Sequence, residues 1–226
     1  MINTLIFDFN GTMFFDGQIQ KISWKEFLKQ KFNREMTEKE FEEHIAGRNN
    51  RYTFEFYTGR HLSTSELNEF TDEKEKLYCD YCLEHPQDFH LVEGLPNFLD
   101  QCISNDIKLN IATASELPNM QFFFNHLDLN KWFDINKVSL NDNTLPGKPA
   151  PDMFIRAINN VQSTPEESAI FEDSVSGILS ANNANAGEII LVEDVNLNPV
   201  NLPNTLRVDK IIHDYNDFKK IVPIIE

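Results

Sequence analysis

The stretch Thr4-Leu-Ile-Phe-Asp-Phe-Asn-Gly-Thr-Met13 constrains the fold more than any other part of the chain. Leu5, Ile6 and Phe7 form an unbroken apolar run, the pattern of a strand buried on both faces in a parallel sheet. Asp8 stands at the carboxyl end of that run, and Phe9, Asn10, Gly11 and Thr12 follow as a polar, glycine-bearing loop. Ligands of open parallel sheets bind outside the carboxyl ends of the strands, so Asp8 is placed where chemistry is done. The second polar position of the loop, Asn10, carries an amide rather than an acid.

The rest of the chain falls into two styles. From Ile19 to Pro86 the pattern is helical, with Ile22, Trp24, Phe27, Leu28 and Phe32, then Phe41 and Ile45, then Leu67, Phe70, Leu77 and Tyr81 at helical spacing. Thr37-Glu-Lys-Glu40 and Ser63-Thr-Ser-Glu66 have the form of capping boxes that open new helices. A polar, cationic knot, Gly47-Arg-Asn-Asn-Arg51, lies between two of these helices. Beyond Gly94, strands and helices alternate: strands at 107–112, 137–140, 168–171, 188–192 and 210–212, and helices at 117–127, 152–160, 174–183 and near 215–221. Alternation of this kind predicts an α/β fold, a parallel sheet with helices on both faces. The helical stretch is then a small domain inserted after the first strand. Expected bounds are residues 1–13 and 92–226 for the sheet domain and 14–91 for the insertion. The Asn-rich segments around Asn141 and Asn143, Asn182 to Asn185, and Asn196 to Asn198 read as caps and loops.

Charge narrows the partners. With 20 Lys+Arg against 36 Asp+Glu, the net charge of −16 argues against binding to nucleic acid or an anionic membrane. No apolar run is long enough to span a bilayer. Asp8 interrupts the amino-terminal apolar run, and no basic region or small-residue cleavage site accompanies it, so it reads as a strand and the expected location is cytoplasmic. No obligate protein partner is indicated. Cys79 and Cys82 form a C-x-x-C, but inside a helical pattern with no second pair they read as structural thiols.

Polar groups gather at the predicted strand ends: Asp8 with Asn10, Thr113 with Ser115, Lys148 in Gly147-Lys-Pro-Ala-Pro-Asp152, and Glu172-Asp173 in Phe171-Glu-Asp-Ser-Val-Ser-Gly177. In a parallel sheet all of them share one edge. Asp8, Glu172 and Asp173 make an all-oxygen cluster suited to Mg²⁺, a hard cation that shares its sphere with phosphate. Lys148 adds a fixed positive charge, and Thr113 adds a hydroxyl beside backbone N–H groups of Ala114 and Ser115, an anion cradle next to a metal. The helix after Ser174 points its amino terminus at the same place. Phosphoryl transfer needs positioning and charge neutralisation, which this set supplies, and Asp8 is free to attack phosphorus.

DFNGT, IATAS, GKPAPD and FEDSVSG, in this order and at these separations, resemble the haloacid dehalogenase-like hydrolases (the HAD superfamily) over nearly the whole chain. The helical insertion is similar to the cap of their β-phosphoglucomutase-like subgroup. The resemblance implies a Rossmann-like core, a mobile cap, Mg²⁺ and a small phosphorylated substrate. It makes Asp8 the nucleophile and has Thr113 and Lys148 hold the phosphoryl group. Asp173 binds the metal with support from Glu172, and Asn10 offers its backbone carbonyl to the same ion.

The chain departs from the family pattern at Asn10, where most phosphate-processing members have an acid that protonates the leaving oxygen and then activates water. An amide does neither, and general acid–base catalysis is worth ~10²–10⁴-fold. Three readings stand side by side: a slow phosphatase or one with a surrogate base such as Asp16, an introduced change that traps an intermediate, and a phosphate-binding relative. A second departure lies in the insertion. The sugar-phosphate mutase of the subgroup has a His four residues before the Trp matched by Trp24, where this chain has Gln20. Its phosphate-gripping Arg falls nearest to Asn50, with Arg48 and Arg51 adjacent as candidate substrate ligands. Mutase activity is therefore not expected. A phosphonatase would need a Schiff-base lysine, for which Lys21 and Lys25 sit in plain surface contexts.

Overall fold

The computed structural model describes residues 1–45, 48–142 and 144–222. Gly47 of the cationic knot and Asn143 of the Asn-rich loops lie outside the described residues. The chain runs β1 (Thr4–Phe7), α1 (Gly17–Phe32), α2 (Glu38–His44), α3 (Asn50–Thr58), α4 (Thr64–Glu84), α5 (Leu95–Ser104), β2 (Lys108–Ile111) and α6 (Leu117–His126). It continues with α7 (Asp152–Asn160), β3 (Ser168–Glu172), α8 (Val175–Asn183), β4 (Glu188–Val192), β5 (Lys210–Ile212) and α9 (Phe218–Ile221). Two compact units result, one from residues 1–15 and 90–226 and the other from residues 16–89.

The first unit is built on a five-stranded parallel sheet in the order β2-β1-β3-β4-β5. β1 is an interior strand, paired on both sides and buried throughout, as its unbroken apolar run requires. Successive side chains of a strand point to opposite faces, and the two halves of the core divide accordingly. Ile6 packs into an aliphatic layer with Phe154, Ile158, Ile170, Ile178 and Ile189. Phe7 faces the other way, stacked on Phe171 at 4.5 Å between ring centres and meeting Phe98 and Phe133 edge-on. Register sets Phe7 beside Phe171 on β3 and Ile111 on β2, so the residues following these three strands emerge side by side.

The predicted strand at 137–140 does not form. Only an isolated bridge joins Ser139 to Ala112. Side chains take the place of a ladder here. Asn110 and Asn160 donate to the Lys137 carbonyl, and Arg156 donates to the Ser139 hydroxyl and the Leu140 carbonyl. With the Lys137 and Leu140 carbonyls taken up by side chains, backbone pairing is confined to Ser139, which exchanges bonds with Ile111 and Thr113.

The second unit is helical. Trp24, Phe27, Leu28, Phe54 and Phe70 form its core, with ring centres 5.1–6.1 Å apart in tilted and edge-on contacts. Within α1 the inward set is Ile19, Ser23, Trp24, Phe27 and Leu28, which leaves Ile22 exposed although its spacing predicts a core position. Both capping boxes form, Thr37 with Glu40 and Ser63 with Glu66. Cys79 and Cys82 are free thiols on α4, and burial pushes them up to about 11 and about 12, away from the thiolate character a redox pair needs. Among the described residues no helix is long and apolar enough to cross a membrane.

Candidate active site

Asp8 follows β1 directly, and its backbone N–H continues the ladder by donating to the Phe171 carbonyl at 2.9 Å. Glu172 ends β3, so the register brings its carboxylate beside that of Asp8. Between them stands Lys148, whose Nζ donates to Asp8 Oδ1 at 2.5 Å and to Glu172 Oε1 at 2.6 Å. The lysine side chain is only 8 % exposed. Burial by itself would lower its pKa, but the charges and hydrogen bonds of Asp8 and Glu172 outweigh that and raise it, so it stays a cation. The loop that carries it, with a cis Lys148–Pro149 peptide, is pinned to α8. Asn183 donates to the Pro149 carbonyl and Ser180 to the Ala150 carbonyl.

The other oxygen of Glu172, Oε2, accepts from the Ser174 N–H at 2.7 Å and from its hydroxyl at 3.0 Å. Ser174 in turn caps α8 by accepting from the Gly177 N–H. Both oxygens of Glu172 are thus engaged at the amino end of a helix. Asp173, next in sequence, accepts from the buried Thr12 hydroxyl at 3.3 Å. Carboxylate oxygens of Asp8, Glu172 and Asp173 all lie within 4.8 Å of one another, a spacing that could hold a metal ion. Two glycines make room for these acids. A Cβ on Gly11 would fall 2.1 Å from Asp173 Oδ2, and one on Gly177 would fall 1.8 Å from Glu172 Oε1.

Thr113 is buried after β2 and places its hydroxyl at the same sheet edge. Here the sequence expectation needs a correction. The Ser115 N–H is not an open donor, because it closes a local turn onto Thr113 Oγ1 at 3.1 Å. The Thr113 N–H donates to the Ser139 carbonyl. Among the described residues the exposed Ala114 N–H is left as the loop donor without an internal partner. Ser115 also reaches across to the first loop, where its hydroxyl donates to Asn10 Oδ1 at 2.8 Å. An oxygen so engaged fixes which way the Asn10 amide faces.

Sequence reasoning missed Tyr215. Its buried hydroxyl donates to the Thr12 carbonyl at 3.1 Å, from 203 residues away, and so holds the loop after Asp8. Burial, then the charges of Asp173 and Asp8, raise its pKa well above the ordinary tyrosine value. No local pattern marks such a residue. Thr12 and Ser174 were inside the recognised motifs, but their partners were not legible.

The remaining candidates belong to the helical unit. Arg48 places its guanidinium 5.2 Å from the Tyr52 ring centre. Arg51, on α3, donates to Glu55 Oε1 and to the Leu62 carbonyl, both at 3.1 Å. Asp16 is buried and accepts from the Tyr78 hydroxyl at 2.9 Å and from Gln20 at 3.0 Å. Lys21 is paired with Glu38, and Lys25 is exposed.

The family model for haloacid dehalogenase-like hydrolases matches residues 5–191, a span that takes in Asp8, Lys148, Glu172 and Asp173. The Thermotoga maritima protein named phosphorylated carbohydrates phosphatase is 29% identical over 113 residues, 50% of this chain and 48% of that protein. The chain spans about half or less of the length of the curated relatives it matches first, at 48% and 33%. A HAD hydrolase of family IA, variant 3, from Entamoeba histolytica has a TM-score of 0.81 at 32% identity, covering 95% of this chain and 94% of that one. CbbY from Rhodobacter sphaeroides, solved with phosphate, has a TM-score of 0.80 at 17% identity, covering 96% of each chain, and shows the same Rossmann-like fold. With a family match across the sheet edge that carries Asp8, Lys148, Glu172 and Asp173, this chain belongs to the haloacid dehalogenase-like hydrolases.

Proposed function

We propose that the protein is a Mg²⁺-dependent phosphatase of a small, sugar-like phosphorylated metabolite, working through a phosphoryl group held on Asp8. One observation carries this reading: Lys148 is buried between Asp8 and Glu172, with Asp173 close enough to complete an acidic cluster. The names of a carbohydrate phosphatase and of a CbbY solved with phosphate point to the substrate class.

The donor set fits a hard divalent cation, being all oxygen and compact. Asp8 and Asp173, with the Asn10 carbonyl, would hold it. Glu172, whose oxygens already serve Lys148 and Ser174, acts as their support. When bound, Mg²⁺ supplies charge neutralisation to the phosphoryl oxygens. Lys148 and Thr113 position the same oxygens, and the Asp8 carboxylate attacks phosphorus as the ester oxygen departs. That departing oxygen needs a proton, and the attacking water later needs a base. Asn10 supplies neither, which leaves about 3–5 kcal/mol of barrier to solvent. Asp16 is a poor surrogate, since it is buried and held by Tyr78 and Gln20. In this reading residues 14–91 form the cap that selects the substrate, with Arg48 and Arg51 as its cationic candidates.

A second reading, a phosphate-binding relative with little turnover, is favoured by the fixed amide at Asn10, held by Ser115. Phosphate release from an aryl phosphate with Mg²⁺ separates the two. The phosphatase reading expects slow release that Asn10→Asp accelerates ~10²–10⁴-fold and Asp8→Ala abolishes. Release by no form of the protein, on that ester or on a panel of sugar phosphates, would favour the binding reading. An Asn10→Asp rate equal to the parent would remove the missing acid as the limiting factor.

A further inference from the structure

Asn10–Gly11 is the one Asn-Gly step in the chain. We propose that Asn10 is a self-modification site, deamidating in place through a cyclic imide with the Gly11 nitrogen and yielding aspartate. The modification is independent of the phosphatase reading; only its consequence for turnover rests on that reading.

Succinimide formation needs the next residue's backbone nitrogen to reach the Asn side-chain carbon, and a glycine offers no Cβ to obstruct it. At position 11 glycine is also obligatory. Its φ is +78°, and a Cβ would collide with the Asp173 carboxylate at 2.1 Å. The packing that creates the acidic cluster therefore places the most labile neighbour beside Asn10. The Ser115 hydroxyl, donating to Asn10 Oδ1 at 2.8 Å, draws electron density from the amide carbon and supports the oxyanion formed on attack. Asn10 and Gly11 are both half-buried, so water reaches the imide.

The steps balance with water alone. The Gly11 nitrogen bonds to Asn10 Cγ, the Cγ–Nδ2 bond breaks, and ammonia leaves with the Gly11 proton. Water then opens the imide. Opening at the side-chain carbonyl leaves the main chain unaltered and gives aspartate, whereas opening at the other carbonyl lengthens the main chain as isoaspartate. The turn that follows favours the first outcome. Gly11 N–H donates to the Phe14 carbonyl at 2.7 Å, and the N–H groups of Thr12, Met13 and Phe14 all converge on the Phe9 carbonyl. An extra backbone carbon would break this set. The same Gly11 bond restrains the attacking nitrogen, so conversion in the folded protein is slower than in a free peptide of this sequence.

The experiment ages the full-length protein in mildly alkaline buffer. It follows the peptide Met1–Lys21 by tandem mass spectrometry, with isoaspartate counted by methyltransferase labelling and phosphate release measured on the same samples. Acid is expected to accumulate at position 10 ahead of every other asparagine, mostly as aspartate, and more slowly after Ser115→Ala. Asn10→Gln, which would need a larger ring, is expected to stay unconverted. Asn10 remaining an amide while other asparagines convert would overturn the proposal, as would a product that is isoaspartate alone. Aspartate accumulating with no rise in phosphate release would uphold the site and count against Asn10 as the limiter of turnover.

Discussion

The two units each bury a lysine, and they satisfy it differently. Lys148 lies between two full carboxylates at strand ends, its side chain 8 % exposed, with Asp173 close by. Lys74, 3 % exposed in mid-helix on α4, donates to the neutral Gln20 Oε1 at 2.7 Å and to Glu75 at 3.1 Å. The rings of Trp24 and Tyr78 stand 5.4 and 5.1 Å away. Around Lys148 one cation faces three acids, a cluster compact enough that it could hold a metal ion. Around Lys74 the contacts form a chain: Gln20 bridges Lys74 to Asp16, and the Tyr78 hydroxyl donates to Asp16. Burial of a charge is common to both, so it does not separate them; the gathering of three carboxylates at a sheet edge does.

The largest effect that tests this contrast is expected from Asp8→Ala, which should lower phosphate release by ~10⁴-fold or more while circular dichroism stays that of the parent. Retained activity would remove the sheet edge from the chemistry altogether. Next comes Lys148→Met. Removing one partner of a buried ion pair should cost about 3–5 kcal/mol in urea unfolding, because Asp8 and Glu172 then repel at close range. Added Mg²⁺ should recover part of the loss, and no recovery would argue that the acids do not bind it. Lys74→Met should cost less, about 1–3 kcal/mol, since an amide and one acid lose a donor. It should leave the Mg²⁺-dependent rise in melting temperature at the parent's value. Loss of that rise would dissolve the distinction between the two lysines.

The smallest effect concerns pH. Glu66 is held down to about 2 by its hydrogen bond to Arg60 and then by those to Ser63. A folded-state pKa below the ordinary 4.5 means that stability is fully present above that value and is lost as pH falls toward about 2. The helical unit contains Trp24 and the sheet unit Trp132, so Trp132→Phe leaves a fluorescence reporter in the helical unit alone. Its acid transition should flatten in Glu66→Gln, whereas an unchanged slope would place the acid sensitivity elsewhere.

Much of this was legible in the sequence because strand ends announce themselves. An apolar run that stops at Asp8 or Glu172, or an alternating one that stops at Thr113, states both the element and the edge, and Lys148 stands in a loop too punctuated by proline to be anything else. The capping boxes were legible for a related reason, as both partners lie within one turn. What stayed hidden depends on distant packing. Ser139 sits beside Ala112 in a single bridge because asparagine and arginine side chains, not strands, satisfy its neighbours. The hold of Tyr215 on the loop after Asp8, and of Ser115 on Asn10, arises only once strands far apart in sequence are adjacent. The closed turn of Ser115 onto Thr113 is local, yet sequence alone did not separate it from an open cradle.

The space left by two missing methyl groups also has a hereditary side. With Asp173 and Glu172 seated where a Cβ on Gly11 or Gly177 would be, neither glycine can drift while the acids remain. Position 10 is under no such lock, for asparagine and aspartate have nearly the same shape and their codons differ by one base. A lineage carrying this chain can therefore cross between the amide and the acid by one base change, altering charge but hardly shape.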